Sequence, residues 1–476
     1  MRKQHIILSI IIVILIILFI FEPIIPIVII GILFGVFYLF NVDEILYTSY
    51  IISLILLPQY FSISISNSLP ILTIPRILMA MIIIKICLVK SDFKRMICII
   101  KECKYTKYFI IYLIINVIIV INNMNSVGIN ELLAILTEQI FLFYLFNFIV
   151  KYKMSINKVL KIICSCIFIL TIFGFFEFLT DVNLFNYLNI TNRKGIVMSN
   201  YIRMGNLRVT GPFGHPLAYG LFLLLFIPVI FITINKEKNI YIITLVFSII
   251  NLFLTGSRSS IICFTIQIII VFIFIKNNKK IKTIIIASDI IMVIFLFSNI
   301  FPNNTLSNNI NDMIYMMSDV LFDTNLSKDF GENEDPYGYR MELLNILKDK
   351  RINPLLGEGY GNNPKFYVYS WKWNEYTGIT EIKSIDNYYI QKYIECGYLG
   401  LIANLIIMCI NIKESFNIYR KQRKFIGVFL TISIIGYSIN LFMVDDLGTI
   451  KFLWIIYGMT YYFRHLDEEK NYKITS

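Results

Sequence analysis

Charge is scarce in this chain. Only 16% of its 476 residues are Asp, Glu, Lys or Arg, where a soluble globular domain carries about 25%. That shortage excludes a cytosolic globular protein, and the 57% hydrophobic content excludes a disordered one. A sustained alternation of apolar and polar residues is also missing, which argues against a transmembrane β-barrel. Behind Arg2 and Lys3, the apolar stretch 6–21 is followed by Glu22-Pro23 and a second apolar stretch, with no small-residue cleavage site. A retained first helix is therefore expected there. The eight cysteines fall in apolar runs or basic loops and show no Cys-x-x-Cys spacing, so neither a disulfide framework nor a metal site is expected. Internal repeats are absent, and so is low-complexity sequence outside the Ile-rich runs.

What is present in quantity is the long apolar run. A membrane helix needs about 20 such residues, and mean hydropathy over the whole chain is +0.71. Runs near 6–21, 24–40, 45–60, 74–89, 108–123, 130–150, 159–179, 214–234, 239–255, 259–275, 283–300, 386–411, 425–442 and 449–463 predict an all-α polytopic membrane protein of about fourteen spans.

The net charge of +12 would suggest nucleic acid in a soluble protein; here it marks cytoplasmic loops, and no nucleic-acid partner is expected. With the N-terminus inside, the inner loops Lys90–Lys107, Lys151–Lys161, Lys276–Lys282 and Lys413–Lys424 carry six, four, four and five Lys or Arg, while the short outer loops 61–70, 123–129 and 443–448 carry none. That is the positive-inside pattern, and it puts both termini in the cytoplasm. Two outer loops are long, at about 180–213 and 301–385. The second is polar, carries a helical pattern at Arg340–Lys350, and precedes the twelfth span. Long exposed loops usually carry function.

Several arginines break the charge rule by lying outside. Arg76 opens the fourth span in Leu72-Thr-Ile-Pro-Arg76. Arg203 and Arg208 precede Thr210-Gly-Pro-Phe-Gly-His215-Pro216. Arg258 sits in the hairpin Thr255-Gly-Ser-Arg258-Ser-Ser260, and Arg340 begins the loop helix. A single outer arginine reads as a helix cap or a headgroup anchor. Several together point to an anion site, because the guanidinium grips phosphate with two parallel hydrogen bonds and keeps its charge when desolvated. The Arg258 hairpin is the most informative, since a helix N-terminus already favours anions.

Other polar residues stand out at the outer boundary. Pro354-Leu-Leu-Gly-Glu358-Gly-Tyr-Gly361 has three glycines at alternate positions, a tight turn that lets backbone approach something closely. Asp386, in Ser384-Ile-Asp386-Asn387-Tyr388, is either an N-cap or a general base for a hydroxyl. Gly397 and Gly400 suit close helix packing. His215 is the one outer histidine of three and is structural or catalytic. Glu177, near the outer end of the seventh span, calls for a partner, and an outer arginine would serve. Tyr367, Tyr369, Trp371 and Trp373 read as an interfacial belt, with sugar stacking as the alternative.

The order of these motifs resembles the O-antigen ligase/polymerase superfamily (Wzy- and WaaL-like). Arg208-x-Thr-Gly-Pro-Phe-Gly-His-Pro comes first, then Thr-Gly-Ser-Arg258-Ser-Ser. Arg340 precedes Pro-Leu-Leu-Gly-Glu358-Gly-Tyr-Gly, and Asp386-Asn387-Tyr leads to Glu395-Cys-Gly-Tyr-Leu-Gly400. The similarity is strongest over about 200–402, and an O-antigen-ligase-like core is assigned to 201–411, flanked by N-terminal spans in 1–200 and by C-terminal spans and a tail in 412–476. The resemblance implies a metal- and cofactor-independent transferase on the outer face of the bacterial cytoplasmic membrane, moving a glycan from undecaprenyl diphosphate to a sugar hydroxyl. Its partners would be lipid-linked donor and acceptor glycans, membrane lipid and a chain-length regulator. Arg208 and Arg258 match the motifs that hold the diphosphate and, with Asp386, are the expected catalytic residues. Arg76, Arg203, Arg340, His215, Asn387, Glu358 and Glu177 are the expected substrate-binding set. Ligases usually carry His-Asn where this chain has Asp386-Asn387, and an asparagine often stands at the position of Leu217. The first departure fits a polysaccharide polymerase better. A ligase acting on a lipid or protein acceptor, and a lipid-linked oligosaccharide flippase, are the alternatives.

Overall fold

The computed structural model describes residues 43–63, 71–189, 201–203, 206–234, 239–274, 343–362, 364–372, 375–381, 385–422 and 424–475. The expected spans 6–21, 24–40 and 283–300, and the stretch 301–342 with Arg340, lie outside the described residues.

Isoleucine-rich runs have only moderate helix propensity in water. In lipid every backbone polar group must be satisfied within the segment, and the helix does that. Each expected apolar run inside the described residues is accordingly helical: α1 (Asp43–Leu56), α2 (Ile74–Leu88), α4 (Thr106–Asn122), α5 (Ser126–Lys153), α6 (Ile156–Thr180), α7 (Pro216–Ile234), α8 (Asn239–Leu254), α9 (Arg258–Phe274), α10 (Tyr388–Gln422), α11 (Phe425–Asn440) and α12 (Ile450–Thr475). Four of them, within α5, α6, α7 and α10, are long and apolar enough to cross a membrane. The chain is thus an all-α membrane protein in its described part, with three small antiparallel hairpins in its loops.

The most uniformly apolar helix lies at the centre, as expected of a helix hydrophobic on all sides: Pro216–Thr233 of α7 is 94% buried. It packs against α8 and α11, and α11 packs in turn on α9 and α10. Gln267 joins three of these helices. Its Nε2 donates to Leu224 O at 3.0 Å on α7 and to Ile432 O at 3.1 Å on α11.

Three features differ from the sequence expectation. Residues 90–102, expected as part of an inner loop, form helix α3 (Lys90–Glu102), bent by 90° from α4. It is amphipathic, burying Met96 and Ile99, and Lys153 of α5 holds its buried Asp92 at 2.6 Å. Basic residues at helical spacing look like a loop charge run until the apolar face between them is seen. The helix expected at 340–350 is, in its described part, one 3₁₀ turn at Leu344–Lys348. Asp349 ends it, because its carboxylate accepts from Arg351 N at 2.9 Å and pairs with the Arg351 guanidinium at 2.6 Å, a local turn that competes with the helix. Finally, the long polar loop contains a hairpin of β5 (Tyr367–Lys372) and β6 (Glu375–Glu381).

Candidate active site

Arg208 and the 255–258 hairpin meet directly. Val209 N donates to Leu254 O at 3.1 Å, and Arg208 Nε donates to Thr255 O at 2.8 Å. The arginine lies across Gly256, whose φ is +59° and whose Cβ, if it had one, would sit 3.2 Å from Arg208 Nε. Glycine is required there twice, by conformation and by space. Arg258 then opens α9. Ser257 Oγ accepts from Ser260 N at 3.4 Å and shares a hydrogen bond with Ser260 Oγ at 2.8 Å. Capping therefore falls to Ser257, and half-buried Arg258 begins the helix beside Arg208's loop.

Glu177 fixes that loop from below. Its carboxylate accepts from Thr210 N at 2.9 Å, Thr210 Oγ1 at 2.8 Å and Gly211 N at 2.9 Å. Asn183 Nδ2 adds bonds to Glu177 Oε1, Thr210 Oγ1 and Gly211 O. The partner expected to be an arginine is thus a set of loop N–H and O–H donors. Glu177 holds the turn two residues after Arg208.

His215 lies at the end of the same turn. Its Nδ1 accepts from Leu217 N at 3.1 Å, and its ring meets Tyr201 edge-on at 4.5 Å between centroids. Burial, with the charge of Arg208 adding to it, pushes the imidazole down to about 4. It is a neutral ring that starts α7. Arg203 is on the short strand β3 (Ile202–Arg203), paired with β4 (Asn206–Leu207) just before Arg208.

Asn387 Oδ1 accepts from Tyr389 N at 3.0 Å and Ile390 N at 3.1 Å, so Asn387 caps α10. Its Nδ2 donates to Phe442 O at 2.9 Å, and Tyr388 N donates to Leu441 O at 3.0 Å. Asp386, one residue earlier, is half-buried. The segment that receives these bonds, 441–444, follows Asn440, whose Nδ2 donates to Ser260 Oγ at 3.0 Å in the first turn of α9. The helix starts that carry Asp386 and Arg258 are therefore tied together through the 440–444 segment at one end of the bundle.

The glycine-rich run docks into a break in α10. Gly397 has φ +60° and ψ −167°. The backbone groups freed there are satisfied by the loop: Glu358 N and Gly359 N donate to Ile394 O (2.7 Å) and Glu395 O (3.0 Å), while Tyr398 N and Leu399 N donate to Pro354 O (2.8 Å) and Leu355 O (3.2 Å). A Cβ on Gly397 would lie 2.4 Å from Leu355 backbone. Gly397 thus serves a helix break more than helix–helix packing. Glu358 turns back on its own loop, accepting from Asn353 N at 2.8 Å. Asn125 on the far side secures Tyr360 O at 2.8 Å.

Two charge clusters contain partners that the sequence reading did not supply. Lys392, one turn into α10, pairs with Glu395 at 2.8 Å and Glu131 at 3.8 Å and lies over the Tyr360 and Tyr388 rings. Asp445 and Asp446 face the same lysine. Burial raises both carboxyls above the usual range, and at Asp446 the neighbouring Asp445 charge adds to it. Lys392 and Glu395 inside an expected span were the available signal, since such charges need partners. The second group surrounds Arg76, which Glu138 binds at 2.6 Å and whose Nη1 donates to Ile71 O at 2.7 Å. Glu138 sits in a π-helical stretch of α5, Ile135–Phe141, and buried Lys451 is a second cation within its electrostatic range.

The described part of the chain is thus an apolar helical bundle of a membrane protein, with Arg208, Arg258, the Asp386-Asn387 helix start and the docked glycine-rich loop at one end. Residues 243–405 match the family model described as O-Antigen ligase, so this part of the chain is similar to that family. The match runs from α8 into α10 and takes in Arg258, Glu358, Asp386 and Asn387; Arg208, His215 and Arg76 precede it. No curated protein matches the chain.

Proposed function

We propose that this chain polymerises undecaprenyl-diphosphate-linked oligosaccharide repeat units into a surface polysaccharide (O-antigen, capsule or exopolysaccharide) on the outer face of the bacterial cytoplasmic membrane. The observation that carries this reading is the set of hydrogen bonds that registers the helix start at Asp386-Asn387 against the helix start at Arg258, beside the hairpin on which Arg208 lies. In the proposed reaction the Asp386 carboxylate takes the proton of the acceptor sugar hydroxyl. That oxygen bonds to the anomeric carbon of the donor glycan as the bond from that carbon to the diphosphate oxygen breaks. The departing undecaprenyl diphosphate gains negative charge, which preorganised guanidinium groups at Arg208 and Arg258 stabilise. Attack from the face opposite the leaving group inverts the anomeric centre.

The sidedness proposed here is fourteen spans with both termini cytoplasmic. The basic-loop alternation supports it, as does the gathering of the site loops at one end of the bundle while Lys101, Lys104, Lys107 and Lys413 lie at the other. A reporter fused near residue 340 is expected to report the outside, and a cytoplasmic signal there overturns the reading.

The second reading is ligation to a lipid or protein acceptor, which the description of the matching family favours. Purified chain given a single lipid-linked repeat unit and nothing else distinguishes them. A polymerase yields a ladder of products on undecaprenyl diphosphate. A ligase yields none until a different acceptor is added.

A further inference from the structure

At the end of the bundle opposite the candidate site lies a cavity of about 770 Å³. The two ends are linked by α4. Its C-terminal end abuts the glycine-rich loop, with Asn123 beneath Gly359, and Thr106 at its start lines the cavity. The 17 residues of α4 cover roughly 25 Å at 1.5 Å each, close to the hydrocarbon thickness of a bilayer of about 30 Å.

The cavity's charge is one-sided. Lys101, Lys104 and Lys107 come from the bend between α3 and α4, Lys413 from α10 and Arg464 from α12. Among the described residues the one carboxylate in the lining is Glu414, bound to Arg464 Nε at 3.0 Å. Below the cations the lining becomes apolar, with Ile110 and Ile410. From Ile110 an exposed stripe continues along one face of α4 through Ile114, Ile118 and Ile121, residues three or four apart that line one helix face. The amphipathic α3, bent 90° from α4, is suited to lie in the interface plane beside it.

A cationic pocket opening onto an apolar stripe matches an amphiphile with an anionic head. We propose that this cavity binds the phosphate headgroup of a net-anionic phospholipid in the leaflet opposite the candidate active site, with its acyl chains along the α4 isoleucines. Basic pockets between membrane helices bind anionic headgroups by charge. The proposal is independent of the catalytic reading.

The test uses the purified full chain in nanodiscs of phosphatidylcholine with increasing phosphatidylglycerol, with retained lipid counted by native mass spectrometry. Phosphatidylglycerol is expected to be retained preferentially, and more weakly as salt rises. The exposed lysines carry no core packing, so Lys104→Gln, Lys107→Gln and Lys413→Gln should fold. Each is expected to weaken retention roughly fivefold. Equal retention of the two lipids overturns the proposal, as does a preference that the triple variant keeps. Displacement of phosphatidylglycerol by stoichiometric undecaprenyl phosphate also overturns it, assigning the pocket to a polyprenyl phosphate instead.

Discussion

Asn440 at the end of α11 donates from Nδ2 to Ser260 Oγ, 3.0 Å away in the first turn of α9. Just beyond Asn440, Leu441 and Phe442 present the carbonyls that receive Tyr388 N and Asn387 Nδ2. Through this one element the helix start that carries Asp386 is registered against the helix start that carries Arg258. Both are buried on the Asn440 side, where a rigid hydrogen-bonded frame can hold charged groups in place better than a loop could.

Arg258 is expected to be essential for transfer and dispensable for the hairpin, because Ser257 does the capping. Arg258→Ala should remain in the membrane at normal level and lose polymer. Arg258→Lys should recover only part of the activity, since an ammonium keeps the charge without the two-pronged geometry. Polymer assays beside membrane immunoblots check this, and near-normal polymer from Arg258→Ala removes the residue from the site.

Gly256→Ala tests the contact with Arg208. The alanine must hold φ near +59°, which costs on the order of 1–3 kcal/mol, and its methyl would press on Arg208 Nε from 3.2 Å. The expected result is a modest drop in the thermal midpoint and a larger drop in turnover. Equal activity in wild type and variant would show that the pose of Arg208 over the hairpin does not matter.

His215 gives a pH prediction with a definite sign. Its folded-state value, about 4, lies below the ordinary 6.5 because burial, and then Arg208, disfavour the charged ring. The unfolded chain therefore binds more protons between those values, and stability rises with pH across that window. The contribution is fully present above about pH 6.5 and is lost as pH falls towards 4, amounting to at most about 3 kcal/mol. His215→Asn can still accept from Leu217 N but does not titrate. Thermal midpoints of wild type and variant should run parallel above pH 6.5, and the wild type should fall relative to the variant as pH drops from 6.5 towards 4; a difference that does not change with pH removes His215 from the acid sensitivity.

The apolar runs made the helices legible, because burial in lipid leaves the backbone few alternatives. Arg208 and Arg258 were legible as a pair because outer arginines are rare enough to be noticed. The break at Gly397 was not, since a glycine in a membrane helix serves close packing equally well and only the docked loop, some 40 residues earlier, reveals the difference. Lys392 and Glu131 were invisible as partners because their approach depends on how α5 and α10 pack. Glu177 was correctly marked as needing a partner, but the type of partner depended on a loop turn at Thr210–Gly211 whose geometry the local sequence leaves open. Capping at Asp386-Asn387 was ambiguous for a simpler reason: both side chains are good N-caps, and one residue of register decides between them.

That register makes Asp386 separable from its neighbour by experiment. Asn387→Ala removes an N-cap and the tie to Phe442, and is expected to cost about 0.5–2 kcal/mol of stability. Asp386→Asn leaves the cap untouched and keeps a side-chain oxygen of the same shape, so its thermal midpoint should match wild type. An amide does not accept a proton at neutral pH, however. If Asp386 is the base for the acceptor hydroxyl, Asp386→Asn should bind lipid-linked donor normally and lose turnover by a factor on the order of 10²–10⁴. Measuring donor binding and product ladders on the same purified protein separates these effects. Turnover retained in Asp386→Asn transfers the role elsewhere. His215 is then a weaker replacement than its position suggests, because its Nδ1 is occupied by Leu217 N, and Glu358 is committed to Asn353 N. The raised carboxyls of Asp445 and Asp446, on the loop that begins where Asn387 is anchored, would be the next pair to substitute.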